Sequence, residues 1–309
     1  MRTPLDVPAL VRQQALATGA AGRAWLAELP ELVSTLAEQW GLTLGAAFSG
    51  GTASYVTAAT DSSGRACVLK VAMPQAVDGD DGFARSVRVH RLAGGRGCAE
   101  LLAQHDGARA MLLERLGPNL DDLAMPLAQL LQTIASTLQT FWRPVDSGVD
   151  LPTGAAQAAS LADHIESTWA ALDEPCPRAV IDRALEYCAE RAAALDLSSA
   201  VLVHGDAHGW NTLAAGGGTF KFVDPEGLRS ERAHDLGVPM REYNEPLLDG
   251  DTSRLVRQRA EMLAATCDED PEAVWQWGFV ERVSTGLANV RDFGGRYAAA
   301  FLEVAARCV

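Results

Sequence analysis

His204-Gly205-Asp206-Ala207-His208-Gly209-Trp210-Asn211 stands between two short apolar runs, Val201 to Val203 and Thr212 to Ala215. A glycine turn, Gly216 to Gly218, and a further apolar run, Phe220 to Val223, lead to Asp224. The alternation reads as strand, loop, strand, turn, strand and a terminal carboxylate. Two carboxylates and an amide on neighbouring loops suit phosphoryl transfer, whose transition state is stabilised by positioning and charge, with Mg2+ on the phosphates. On this reading Asp206 orients an acceptor hydroxyl and takes its proton. Asn211 offers an amide oxygen to Mg2+, and Asp224 supplies the main metal carboxylate. A hairpin with Asp and Asn as turn formers is the plainer reading. It has no need of the second aspartate, or of His204 and His208.

The Asp-x-x-x-x-Asn spacing, followed by a strand ending in Asp, has the form of a protein-kinase catalytic site. Here His204-Gly205-Asp206 replaces His-Arg-Asp, and Asp224-Pro225-Glu226 replaces Asp-Phe-Gly. The variant His-Gly-Asp-x-His-x-x-Asn resembles the aminoglycoside phosphotransferase family of antibiotic kinases. Its wording is most similar to the streptomycin and hydroxyurea phosphotransferase branch. The resemblance runs roughly over residues 42–300 and is specific at 204–226 and at Lys70. It implies an α+β chain with a two-lobed protein-kinase-like fold: an N-lobe antiparallel sheet with helices, and a mostly helical C-lobe. It also implies ATP and Mg2+ as cofactors and O-phosphorylation of a small hydroxyl-bearing compound, an aminoglycoside or related antibiotic. Glycine after the histidine implies that the activation-segment control of protein kinases is absent.

The elements that would position these groups are legible in the periodicity. Residues 7–18 and 22–40 have helical spacing, with Pro30 starting or restarting a turn. Trp25, Leu29, Leu32, Val33, Leu36 and Trp40 form the apolar stripe that such a helix lays on a sheet. From Leu42 the period becomes two, giving strands at Leu42 to Phe48, Ala53 to Thr60 and Ala66 to Met73. The turn Ser49-Gly50-Gly51-Thr52 is small enough for its backbone N–H groups to cover a phosphate, or is an ordinary hairpin. Lys70 sits among apolar strand residues, where an unpaired ammonium is costly. The kinase pattern gives it the α/β-phosphates, and a lysine snorkelling from an edge strand is the alternative. Lys70 and Lys221 are the only lysines in the chain. A helix follows at Phe83 to Ala93, where the family carries a glutamate to pair with the lysine. This chain reads Ala84-Arg85-Ser86-Val87-Arg88 there, and its nearest acids, Asp78, Asp80 and Asp81, precede the helix. That departure leaves the partner of Lys70 open.

Strands at Leu101 to Ala103 and Arg109 to Leu116 end at Gly117-Pro118-Asn119. By the resemblance this is the hinge, with the Glu114 carbonyl and the Leu116 N–H on adenine. The expected division is an N-terminal lobe over residues 1–116 and a C-terminal helical lobe over 117–309. Helices are expected at about 126–142, 157–172, 177–195, 251–266, 271–288 and 292–307. The family's brace for the catalytic loop falls on Asp235, which is equally a first-turn acid favoured by the helix dipole. Glu242, in the run Met240 to Glu245, would line a substrate pocket or a solvated face. Glu281 and Arg282 fall where relatives contact substrate. His204 would hold the loop by hydrogen bonds, and His208 would bond loop carbonyls or approach the phosphates.

With 309 residues and 48% apolar content the chain can bury a large core, and no apolar run approaches a membrane span. The first residues lack a signal-peptide apolar core, so a cytoplasmic protein is expected. The net charge of −14 disfavours nucleic acid and suits a cationic small-molecule partner, although solubility alone accounts for it equally well. A monomer or weak dimer, with no membrane partner, is expected. Six scattered cysteines without a C-x-x-C read as reduced thiols. Two other functions fit parts of the sequence. One is a nucleotide-binding protein with weak catalysis, from the missing helix glutamate. The other is a metal-dependent phosphoesterase built on Asp206-Ala207-His208, for which six histidines are few.

Overall fold

A computed structural model describes residues 5–49, 53–74 and 82–309. The chain divides into two compact units, Met1–Gly117 and Pro118–Val309.

The first unit opens with helices α1 (Ala9–Ala17) and α2 (Ala20–Trp40). Strands β1 (Thr43–Ala47), β2 (Ser54–Thr60) and β3 (Ala66–Ala72) follow, then helix α3 (Gly82–Ala93) and strands β4 (Leu101–His105) and β5 (Ala110–Glu114). The five strands form one antiparallel sheet in the order β1-β2-β3-β5-β4. Alternation sends Leu69 and Val71 of β3 to one face, where they pack with Trp25, Leu29, Val33 and Leu36 of α2. That buried stripe carries α2 unbroken through Pro30, so the proline does not begin a helix. The other face receives Phe83 and Val87 of α3 against Met111 and Leu113.

The second unit holds α4 (Leu127–Phe141), β6 (Arg143–Pro144), α5 (Gly154–Ala171), α6 (Arg178–Ala194), β7 (Val201–Val203), β8 (Thr212–Gly216), β9 (Thr219–Phe222) and β10 (Leu228–Ser230). Helices α7 (Arg232–Arg241), α8 (Glu245–Leu248), α9 (Thr252–Cys267), α10 (Pro271–Asp292) and α11 (Gly295–Ala306) complete it. Helix α10 is its spine: Trp275, Trp277, Phe279, Val280 and Val283 are all buried. Helix α7 packs on it so closely that a Cβ on Gly237 would lie 2.7 Å from the Cβ of Trp277. Two small sheets carry the chemistry-bearing loops. The strand β7 lies between β10 and β6, and β8 pairs with β9 as a hairpin.

No helix among the described residues is long and apolar enough to cross a membrane. Five of the six cysteines are buried and Cys308 is half-buried.

Candidate active site

Burial of β7 brings the chain to His204 with no freedom to drift, since Val201 to His204 are all buried. Gly205 then turns at φ +87°. A side chain there would be strained, and its Cβ would meet the Cβ of Glu226 at 3.1 Å and Leu228 at 3.2 Å. The turn leaves its backbone donors inside the protein, and Asp235 of α7 accepts them. His204 N–H donates to Asp235 Oδ2 at 2.8 Å and Gly205 N–H to Oδ1 at 2.7 Å. The indole N–H of Trp142 donates to Oδ2 at 2.8 Å. Burial raises the Asp235 carboxyl to about 6, and these donors oppose the shift.

His204 is fully buried between Phe141 and Phe222, whose ring centroids lie 5.6 and 4.8 Å from its own. Its Nδ1 accepts the Asp206 N–H at 3.2 Å, so Nε2 carries the proton and donates to the Val223 carbonyl at 3.0 Å. Burial depresses the imidazole to about 4, which keeps it neutral. His204 thus ties the base loop to the strand that ends at Asp224. The His204 carbonyl also accepts N–H groups of Glu226 and Gly227 at 2.9 and 3.1 Å.

Asp206 follows with a side chain 29% exposed. Its Oδ1 accepts from Arg241 Nη2 at 2.6 Å, and its Oδ2 from Asn211 Nδ2 at 3.1 Å and His208 Nε2 at 3.2 Å. Burial alone would raise this carboxyl; Arg241 and His208 outweigh it and hold the group well below the usual carboxylate range. Burial works against the charged form of His208, but the Asp206 carboxylate prevails and raises it.

Asn211 Nδ2 also donates to the Asp206 carbonyl at 3.0 Å. Both bonds point the amide nitrogen into the loop and turn its oxygen the other way. The Asn211 carbonyl accepts Val223 N–H at 2.9 Å, placing Asp224 one residue beyond that bond. Asp224 is exposed and sits at φ +56°, a left-handed conformation that Asp tolerates better than most side chains. Asn211 and Asp224 offer hard oxygen donors, the set Mg2+ prefers when substrate phosphates and water complete its shell. Among the described residues no group of three or more His, Cys, Asp and Glu side chains gathers for a metal. His208 faces Asp206, which does not match the dinuclear arrangement a phosphoesterase would use.

Beyond Asp206 the network continues through Arg241, which no sequence reading singled out. Its Nη1 donates to Glu281 Oε2 at 2.7 Å and its Nε to Glu242 Oε1 at 3.0 Å. The Arg241 side chain is 12% exposed and the Glu281 side chain 6%. Glu242 and Glu281 therefore join Asp206 in one cluster. Arg282 does not take part and does not face a ligand surface as the resemblance implied. It is fully buried, with Nε on Asn244 Oδ1 at 3.0 Å and Nη2 on the Met240 carbonyl. Arg259 binds the same turn, donating to the Glu242 carbonyl at 2.6 Å and the Tyr243 carbonyl at 3.1 Å. Two buried guanidinium groups thus satisfy carbonyls in the last turn of α7 and just past it, where the helix dipole favours cations. Burial lowers Arg282 to about 9 and Arg259 to about 10.

Gly209 packs beneath Asp121 and Tyr243, whose hydroxyl donates to Asp121 Oδ1 at 2.5 Å. A Cβ on Gly209 would stand 2.2 Å from Asp121 Oδ2 and 2.6 Å from the Tyr243 hydroxyl.

In the first unit Lys70 lies on β3, the central strand, so an edge lysine is excluded. Its register partners are Val56 and Met111, and Met111 packs with α3, so Lys70 belongs to the α3 face of the sheet. Helix α3 carries no carboxylate. Ser49 is exposed, whereas Gly50 and Gly51 lie outside the described residues, as do Asp78, Asp80 and Asp81. Glu114 ends β5 opposite Cys67, and its Oε1 accepts Glu100 N–H at 2.8 Å. Leu116 follows as a half-buried residue beyond the strand.

Comparison with known proteins gives a consistent result. The chain is 29% identical over 293 residues to streptomycin 6-kinase of Streptomyces glaucescens, covering 92% of this chain and 90% of that protein. It is 28% identical over 292 residues to hydroxyurea phosphotransferase of Kitasatospora aureofaciens, covering 93% and 81%. Among solved structures, choline kinase from Cryptosporidium parvum Iowa II superposes with a TM-score of 0.62 at 11% identity, over 90% of this chain and 95% of that one. Aminoglycoside phosphotransferase APH(4)-Ia gives 0.56 at 18%, over 90% and 97%. These likenesses identify a two-lobed, protein-kinase-like α+β fold. The family profile described as aminoglycoside/hydroxyurea antibiotic resistance kinase matches residues 39–293. The chain belongs to this family of small-molecule phosphotransferases.

Proposed function

We propose that this kinase transfers the terminal phosphoryl group of ATP to a hydroxyl of a small compound, an aminoglycoside or related antibiotic, with Asp206 as the base. The observation that carries the proposal is the join between two loops: Asp206 and Asn211 share hydrogen bonds, and Asn211 binds the strand that ends at Asp224. In the reaction the acceptor oxygen forms a bond to the terminal phosphorus as the bond to the bridging oxygen of the nucleotide breaks. The hydroxyl proton passes to Asp206, and ADP carries away the electron pair. Asn211 and Asp224 would hold magnesium, which when bound neutralises charge on the phosphates. Lys70 would grip the α/β-phosphates, with Ser49 and its glycine neighbours covering them. The Glu114 carbonyl and Leu116 N–H would receive adenine.

Acidic side chains support a cationic acceptor. Burial and the fields of Glu242, Glu245 and Asp121 together push the Tyr297 phenol up to about 12, so these acids and this aromatic share one neighbourhood. Tyr297 is 58% exposed and Trp210 63%, available to stack on a ligand. The names of the two relatives make streptomycin and hydroxyurea the first acceptors to try.

The test is turnover with Mg-ATP and a panel of streptomycin, other aminoglycosides and hydroxyurea, with the phosphorylated acceptor identified by mass. Asp206→Asn should lower kcat by roughly 10²–10⁴-fold with nucleotide binding retained. A fully active Asp206→Asn enzyme, or a wild type that binds Mg-ATP and phosphorylates nothing in the panel, would reject the proposal.

A further inference from the structure

The Asp206 carboxylate has four in-plane lone pairs, and three are taken. Oδ2 receives two donors, Asn211 Nδ2 at 3.1 Å and His208 Nε2 at 3.2 Å. Oδ1 receives one, Arg241 Nη2 at 2.6 Å. An ionised carboxylate oxygen accepts about two hydrogen bonds. The remaining lone pair is therefore on Oδ1, beside Arg241, and an acceptor hydroxyl has that one place to bind.

Arg241 is in turn held from behind. Glu281 Oε2 takes Nη1 at 2.7 Å from helix α10, and Glu242 Oε1 takes Nε at 3.0 Å. Glu281 is almost fully buried on the helix that forms the core of the unit. A planar guanidinium bound at three of its nitrogens cannot rotate freely. The base on its loop is thus anchored through one side chain to α10, the most extensively buried helix of its unit.

We propose that Arg241 is the positioning residue of this kinase, fixing the Asp206 carboxylate to α10 through Glu281 so that Oδ1 presents its free lone pair to the acceptor hydroxyl. The proposal rests on the reading of Asp206 as the base. The anchorage supplies geometry: the carboxylate is held in one rotation about its side chain before the acceptor arrives, so no ordering is left for the transition state. It also places the acceptor hydroxyl beside the Arg241 guanidinium, the group that borders Oδ1.

The experiment compares Arg241→Met, Arg241→Lys, Glu281→Gln and Asp206→Asn by steady-state kinetics with Mg-ATP. The acceptor is whichever of streptomycin and hydroxyurea the wild type turns over faster, and acceptor-free hydrolysis of Mg-ATP is measured alongside. Arg241→Met should lower kcat by about 10²-fold, the scale of a misplaced catalytic group, with the KM for ATP within about twofold of wild type. Arg241→Lys keeps a donor on Asp206 but loses the fork, and should recover part of that kcat. Glu281→Gln, which leaves the contact to Asp206 in place and weakens its anchor, should lower kcat by about tenfold. Wild-type kcat in Arg241→Met, with Asp206→Asn inactive, would overturn the positioning role. An active Asp206→Asn enzyme would instead overturn the base assignment. Should Arg241→Met not fold, unchanged kcat in both Arg241→Lys and Glu281→Gln would overturn the proposal equally.

Discussion

Asp235 and Gly205 are joined by a 2.7 Å hydrogen bond between a buried carboxylate and a backbone N–H thirty residues earlier in the chain. With the bonds from His204 N–H and the Trp142 indole, it makes Asp235 the acceptor for two backbone donors at the turn and for a buried side-chain donor that packs beside them. An asparagine has one acceptor oxygen and sets its amide nitrogen against a donor. Asp235→Asn should therefore destabilise the protein by about 2–4 kcal/mol, the scale for breaking a buried charged network. It should also lower kcat, because the base loop loses its support. Chemical denaturation and turnover measure the two effects, and a variant matching wild type in both would remove Asp235 from its bracing role.

Beneath Tyr243 and Asp121 there is room for a glycine and for nothing larger. Gly209→Ala would force the Asp121–Tyr243 pair apart, since an added Cβ lies 2.2 Å from Asp121 Oδ2. Both neighbours are side chains, so they can move and the fold should survive. The displaced groups border the loop that carries Asp206, so kcat/KM for the acceptor should fall by about tenfold or more. An unchanged kcat/KM would separate the Asp121–Tyr243 pair from acceptor binding.

Acid should weaken the protein through two buried histidines. Burial depresses His204 and His234 from 6.5 to about 4, with the charge of Arg241 adding to the effect at His234. Each prefers the neutral form when folded, so its contribution is present above 6.5 and is lost as pH falls towards 4. Each is worth at most about 3 kcal/mol. Asp235 acts the other way: its carboxyl is raised from 3.8 to about 6, so its contribution is present below 3.8 and lost as pH rises through 6. Of these three groups the two histidines prevail, and their part in the pH dependence is a loss of stability on acidification. Among the described residues neither ring nitrogen of His234 has a hydrogen-bond partner, and Glu281 is 4.0 Å away. His234→Phe should thus match or exceed wild-type stability at neutral pH and lose less of it at pH near 4.5. Urea unfolding across that range checks this, and an identical pH slope in the variant would refute it.

The loop from His204 to Asp224 is legible because its chemistry is written within one contiguous stretch. Helix α2 is legible because Trp25, Leu29, Val33 and Leu36 recur at helical spacing and are indeed its buried face. Arg241 is different. Its partners Asp206 and Glu281 lie 35 and 40 residues away, and no local period encodes an ion pair closed by tertiary packing. The run Ala233 to Met240 is buried at every position, yet it carries His234, Asp235 and Pro239, so its burial, and with it the need of Arg241 for buried partners, is not written in its local pattern. Arg282 shows the opposite error. The resemblance placed it, with Glu281, where relatives contact substrate, but adjacent helical residues face different ways, and Arg282 turns to the carbonyl of Met240. Strands β6 and β10 have two and three residues, too short for an alternating pattern to register.

Asp224 combines a chemical role with a backbone constraint, and two substitutions separate them. At φ +56° most side chains are strained by about 1–2 kcal/mol, whereas Asp and Asn tolerate the conformation. Asp224→Asn keeps the backbone fit and removes the charge. Asp224→Ala removes both. If Asp224 holds the metal, both variants should lose magnesium-dependent nucleotide affinity, while only Asp224→Ala should also lose about 1 kcal/mol of stability. Calorimetric titration of Mg-ATP, paired with thermal melts, reads the two quantities independently. Wild-type affinity in Asp224→Asn would show that the metal is held elsewhere. A parallel loss of affinity and stability in both variants would mean that the hairpin end, and not the carboxylate, governs binding.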